Sequence, residues 1–245
     1  AVVATLLVGG AVLAQGYDAE DVPTVESSVW VARDAAGGQF ARVNTDIGEI
    51  ETVNDAAGIA DVVQARSWAF VVGASYSKVW PIDAAKPLDV DEAGVADDSD
   101  EGVAAPEGTS GIETAGRYVL FSGPAPAVAI GAELSAADRA PTPLEPPRTD
   151  GAAGYAAAAS TISAAGRVAL YSAQEAERRI RVFDITTALW RTIELTDAPT
   201  GPGGLQLAFV GDRVVLLQAD ADAPRLWVDG AGPYALPAGI GADAL

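Results

Sequence analysis

The chain has 245 residues, a net charge of −19, and no Cys, His or Met. Without Cys there is no disulfide framework or thiolate chemistry, and without His there is no Ser-His-Asp triad, Cys–His pair or imidazole-held zinc. An acidic surface repels phosphate backbones and anionic headgroups, so nucleic acid is not an expected partner, and such a charge also serves solubility alone.

Residues 1–14, AVVATLLVGGAVLA, form an uncharged apolar run. A membrane-spanning helix needs roughly 20 residues. Because the chain does not open on Met, this run reads as the outer end of a longer anchor; a signal-peptide core and a buried strand are the alternatives. The acidic linker 17–27 follows, with no Lys or Arg, and lack of basic residues suits the translocated flank. The expected domain layout is an apolar segment at 1–16, this linker, and one β-domain over 28–245.

Within that domain the pattern repeats. The stretch Gly166–Leu195 is its clearest copy, three short alternating runs separated by turn-sized gaps. Matching runs start at Ser67, Arg117, Arg167 and Arg213, which are 50, 50 and 46 positions apart. An earlier copy covers Val29–Arg33, Phe40–Val43 and Ile47–Val53, without a clear inner strand. A further run precedes each later copy: Asp61–Ala65, Gly111–Ala115, Ser160–Ala164 and Leu205–Val210. Four strands per unit at this period is the β-propeller signature, because one such sheet buries both its faces only by stacking against neighbours. The spacing predicts about five four-stranded antiparallel blades, over about 28–57, 58–107, 108–153, 154–202 and 203–238.

The third strands carry Trp80, Phe183 and Trp227, expected to be inter-blade core, since aromatic rings dominate burial. Asp83, Asp184 and Asp229 follow them near the tight turn, where a carboxylate bonds backbone N–H groups. In the acidic run Asp89–Gly102, the residues Asp89, Asp91, Gly94 and Asp100 match positions 1, 3, 6 and 12 of a calcium loop. Position 5 is Ala93 and position 12 lacks Glu, so a solvated loop is the expectation and no metal site is assigned. Ala140–Thr149, APTPLEPPRT, reads as a Pro-rich linker, and Gly151–Ala159 as an irregular connection. Gly201–Gly204 marks a blade boundary, and Asp229-Gly230 a hairpin turn. Gly239–Leu245 is short enough only to begin a sixth unit or to close the first.

The apolar segment, GYDAEDVPTVESSVWVAR and QFARVNTDIGEIETV together resemble the N-terminal region of membrane-anchored actinobacterial proteins with fibronectin type III or Ig-like domains. The resemblance covers roughly residues 1–90. It implies a propeller-like module on the extracytoplasmic side, followed in such proteins by β-sandwich domains.

For function, a non-catalytic scaffold or interaction module is the first expectation, with a protein or cell-surface polymer as partner, the membrane reached through the N-terminal segment, and no cofactor. The alternative is a polysaccharide-binding or glycoside-hydrolysing propeller. Hydrolysis needs two facing carboxylates, yet the inner strands offer only Asp61 and Glu113. Sugar binding needs exposed rings, for which Tyr17, Tyr76, Tyr155 and Tyr234 are the candidates.

Overall fold

A computed structural model describes residues 28–33, 38–55, 58–83, 102–134, 140–147, 155–174, 177–219 and 224–237. They form five antiparallel sheets in chain order. Sheet 1 holds β1 (Ser28–Arg33), β2 (Gln39–Asn44) and β3 (Glu49–Asp55). Sheet 2 holds β4 (Ile59–Ala65), β5 (Trp68–Gly73), β6 (Lys78–Ile82) and β7 (Val103–Ala104). Sheet 3 holds β8 (Gly111–Ala115), β9 (Tyr118–Ser122), β10 (Ala127–Ile130) and β11 (Thr142–Pro143), with a four-residue helix, α1 (Gly131–Leu134), after β10. Sheet 4 holds β12 (Ala159–Ile162), β13 (Arg167–Tyr171), β14 (Arg179–Asp184) and β15 (Leu189–Glu194). Sheet 5 holds β16 (Leu205–Val210), β17 (Arg213–Gln218), β18 (Arg225–Val228) and β19 (Ala231–Ala235). The strands β4, β8, β12 and β16 meet one another in succession, so they line the inside of the array, and each chain segment runs outward from there.

The protein is therefore all-β and propeller-like. Sheet 1 has three strands among the described residues, with β1 at the place that β5 holds in sheet 2. The inner edge of β1 is met by the side chain of Gln64 on β4. Its Oε1 accepts from the Trp30 N–H at 3.2 Å, and its Nε2 donates to the Ser28 carbonyl at 3.2 Å. One amide thus satisfies two edge groups that a further strand would otherwise pair.

Four apolar clusters hold consecutive sheets together. Trp30 and Phe40 of sheet 1 pack on Val62, Ala69 and Val71 of sheet 2. Phe70 and Val72 pack on Val119 and Phe121 of sheet 3. Tyr118 and Leu120 pack on Val168 and Leu170 of sheet 4. Ala169 and Tyr171 pack on Val214, Leu216 and Trp227 of sheet 5. The faces turned toward the preceding sheet thus start at Ala69, Val119, Val168 and Val214, positions 50, 49 and 46 apart. This corrects the 50, 50, 46 alignment by one residue in sheets 4 and 5. A one-residue slip reverses every side chain, but these strands are apolar on both faces, so the sequence carries no alternation that would set the register.

One further correction concerns an outer strand. Residues within the Pro-rich Ala140–Thr149 are the fourth strand of sheet 3: β11 pairs with β10 through Ala127–Pro143 and Val128–Thr142. Proline is tolerated there because an edge strand need not donate on its free side. The Asp229-Gly230 turn between β18 and β19 does have the expected form, with positive φ at both residues (48° and 86°), as the twist-matched two-residue hairpin requires.

Candidate functional site

The inner strands of sheets 3, 4 and 5 splay to leave an open cleft of about 670 Å³. Its lining includes Ser110, Glu113, Ser122, Ser160, Thr161 and Gln206. The strands explain the chemistry of the lining. β8 pairs Glu113 with Leu120, whose side chain faces sheet 4, so the carboxylate also leans toward β12. There Glu113 Oε1 accepts from Thr161 Oγ1 at 2.9 Å and from the Ile162 N–H at 3.4 Å. Oε2 has no hydrogen bond to any described residue. Beside it Ser160 Oγ donates to Ser122 Oγ at 2.9 Å.

Burial pushes the Glu113 carboxyl above its ordinary value, and the hydrogen bonds from Thr161 and Ile162 offset only part of that. Among the described residues no Lys, Arg or aromatic side chain lines the cleft, and Glu113 is its one carboxylate. Asp61 points elsewhere, its Oδ1 accepting from the Val62 N–H at 2.7 Å. Among the described residues no three His, Cys, Asp or Glu side chains converge.

The three aromatic residues singled out by the repeat occupy two kinds of place. Trp80 lies opposite Val71 and Trp227 opposite Leu216, both on the face turned to the preceding sheet, and both are buried. Trp227 Nε1 donates to the Thr196 carbonyl at 3.0 Å. Phe183 lies opposite Val168, one pair further along, half-buried with its ring centroid 4.9 Å from that of Trp190. The place in sheet 4 equivalent to Trp80 and Trp227 belongs to Arg181, opposite Leu170. Arg181 is buried, with Nη2 on Glu177 Oε2 at 2.8 Å and Nη1 on Thr192 Oγ1 at 2.7 Å. Beside this pair, burial raises the Tyr155 hydroxyl well above its ordinary range, and that hydroxyl has no hydrogen-bond partner.

Asp184 makes the expected turn contacts, accepting from the Thr186 and Thr187 N–H groups at 2.9 and 3.0 Å. Asp229 instead reaches across to the Val214 N–H at 3.0 Å. Asp89, Asp91 and Asp100 lie outside the described residues, as do residues 1–14 and Tyr17. Tyr76 packs against the core between sheets 2 and 3, Tyr155 against that between sheets 3 and 4, and Tyr234 is exposed on β19. None of the three lines the cleft. Among the described residues no helix is long and apolar enough to cross a membrane.

No family model and no curated protein matches the sequence. Solved structures do match in fold. Hsv2 of Kluyveromyces lactis is 10% identical, over 87% of this chain and 60% of that one, with a TM-score of 0.52. The dihydro-heme d1 dehydrogenase NirN is 11% identical, over 87% of this chain and 44% of that one, with a TM-score of 0.54. PorZ, a bacterial surface component of the type-IX secretion system of Porphyromonas gingivalis, is 15% identical, over 87% of this chain and 28% of that one, with a TM-score of 0.50. The chain spans less than two thirds of each of these proteins. At such identities the likeness speaks for architecture alone: the chain has the fold of the β-propeller proteins.

Proposed function

We propose that this chain is a non-catalytic recognition module, with the inner-strand cleft of sheets 3–5 as its ligand site, held on the extracytoplasmic side by its N-terminal segment. The observation that carries the recognition part is Glu113: a carboxylate presented from a rigid strand into an open cleft, one oxygen fixed by Thr161 and Ile162 and the other open. Sites on strands hold their groups with more precision than sites on loops. The extracytoplasmic placement rests on the uncharged run 1–14, the acidic flank after it, and the resemblance to anchored actinobacterial proteins.

A second reading has one observation in its favour. A carboxyl raised by burial in a cleft suits a general acid. Glycoside hydrolysis then needs a second carboxyl about 5–10 Å away, and the described residues of the cleft lining supply none. That contrast favours binding over turnover.

The test has two arms. Chemical-shift mapping of the chain against peptide and oligosaccharide fragments should move residues of β8, β12 and β16; hydrolysis of a glycan that is lost in Glu113→Gln would instead make this an enzyme. Protease added to intact cells carrying the full protein should cut the propeller. If it is protected while known surface proteins are cut, the outward placement is wrong.

A further inference from the structure

Resting on the cleft being the ligand site, we infer that its ligand carries a protonated amine or guanidinium, which pairs with Glu113. Four features of the cleft lead there. The open Glu113 carboxylate oxygen has no cation beside it among the described residues, whose share of the lining contains no Lys or Arg. Half-burying a carboxylate without a counter-charge is unfavourable, and this is the cause of its raised pKa. A ligand cation removes that penalty, which a neutral or anionic ligand does not. Thr161 lies on the carboxylate and Ser110, Ser122 and Ser160 line the same cleft, offering oxygens to accept further N–H bonds of an ammonium or guanidinium. A third feature argues against a neutral sugar: no aromatic ring lines the cleft to stack on a sugar face. Finally, a net charge of −19 attracts cations from solution and raises their local concentration at the mouth.

The same chemistry is met in a lysine or arginine side chain of a partner polypeptide and in a free small amine, and the probes separate these. Backbone resonances of the chain are followed at low salt against N-acetyl-lysine methylamide, against n-butylamine, and against the side-chain-acetylated lysine derivative, which has the shape without the charge. The expected result is saturable shifts confined to β8, β12 and β16 with both cationic probes. The neutral derivative should bind at least about tenfold more weakly. Tighter binding of the lysine derivative than of butylamine assigns the site to a polypeptide side chain; equal binding assigns it to a free amine. In Glu113→Gln the cationic probes should also lose about tenfold or more, while the thermal midpoint shows that the fold is kept, since Gln Oε1 still accepts from Thr161. Addition of salt should weaken wild-type binding more than the residual binding of Glu113→Gln.

Three results would overturn the inference. Undiminished binding of the cationic probes in Glu113→Gln removes the carboxylate from recognition. Equal binding of the neutral derivative, or cleft shifts with a neutral oligosaccharide and none with the amines, rejects the ligand class but keeps the cleft as the site. Shifts outside β8, β12 and β16 with every probe reject the cleft itself.

Discussion

Val71 of β5 faces the preceding sheet, and Val31 of β1 lies on the corresponding face of sheet 1, the one turned away from sheet 2. Val71 is fully buried, whereas Val31 is 43% exposed. Trp30 and Phe40 cover Val71; no sheet precedes Val31 among the described residues. The register extends the contrast over a whole face. Val29, Val43 and Ile50 lie abreast on sheet 1, as do Val31, Ala41 and Val53, and Val29, Ile50 and Val53 are exposed too. The sheet forms its hydrogen bonds whether or not the face is covered. What differs is burial, so the stabilising unit is the interface between two sheets rather than the sheet, as in other quasi-one-dimensional repeats.

The comparison breaks most severely at Trp227. This ring fills the contact between sheets 4 and 5 with no exposure. Trp227→Ala should cost about 3–5 kcal/mol, read from urea unfolding. A loss below 1 kcal/mol would mean that the ring is not core.

Arg181 sharpens the same point, because it fills an equivalent place with a charge. Glu177→Ala leaves the buried guanidinium without its carboxylate and should cost about 3–5 kcal/mol. The double variant Glu177→Leu with Arg181→Met should recover most of that loss, since apolar groups of similar volume suit the slot that Trp occupies elsewhere. If the double variant is no more stable than Glu177→Ala, the pair does more than fill an apolar slot.

Glu113 should give a smaller, pH-dependent signature. Its folded-state pKa lies above the ordinary 4.5, so the native protein keeps this proton to higher pH than the unfolded chain. Stability should therefore fall as pH rises from about 4.5 through the raised value, and wild type should lose stability relative to Glu113→Gln over the same range. Thermal midpoints across that range check the sign. A wild type that gains stability relative to Glu113→Gln as pH rises would show that the carboxylate is already paired.

The smallest stability effect belongs to the bare face. Val31→Asp should change stability by no more than about 0.5 kcal/mol, yet lower self-association in sedimentation, because it interrupts an exposed apolar strip. Unchanged association would clear this face of any role in contact between copies.

Much of this architecture is legible in the sequence. Repeat period, strand order and the Asp-Gly hairpin follow from turn chemistry and from runs of β-formers. The places where the reading departs from the structure have physical causes. The second strands are buried on both faces, so their identity is clear but their facing is not, and the alignment on Arg117, Arg167 and Arg213 slips by one. Separately, Arg181 holds the place equivalent to Trp80 and Trp227, but an aromatic is the burial signal in a sequence, so Phe183, two residues further along the same face, is singled out instead. Residues 142–143 look like linker because Pro is a loop signal, although an outer edge is where a strand admits it. Of the cleft, Glu113 is visible as one of two acidic inner-strand residues. The serines Ser110, Ser122 and Ser160 that share its cleft are not, since they gather only when sheets 3 and 4 meet.

Paired unfolding of Val71→Ala and Val31→Ala tests the inter-sheet origin of stability most directly. The substitution is the same, and the two sites differ chiefly in the covering sheet, with β1 an edge strand where β5 is paired on both sides. Val71→Ala should lose about 1.5–3 kcal/mol and Val31→Ala no more than about 0.5 kcal/mol. Equal losses at the two sites would contradict the account, because they would mean that each sheet is stabilised within itself or that Val31 is covered in solution as Val71 is.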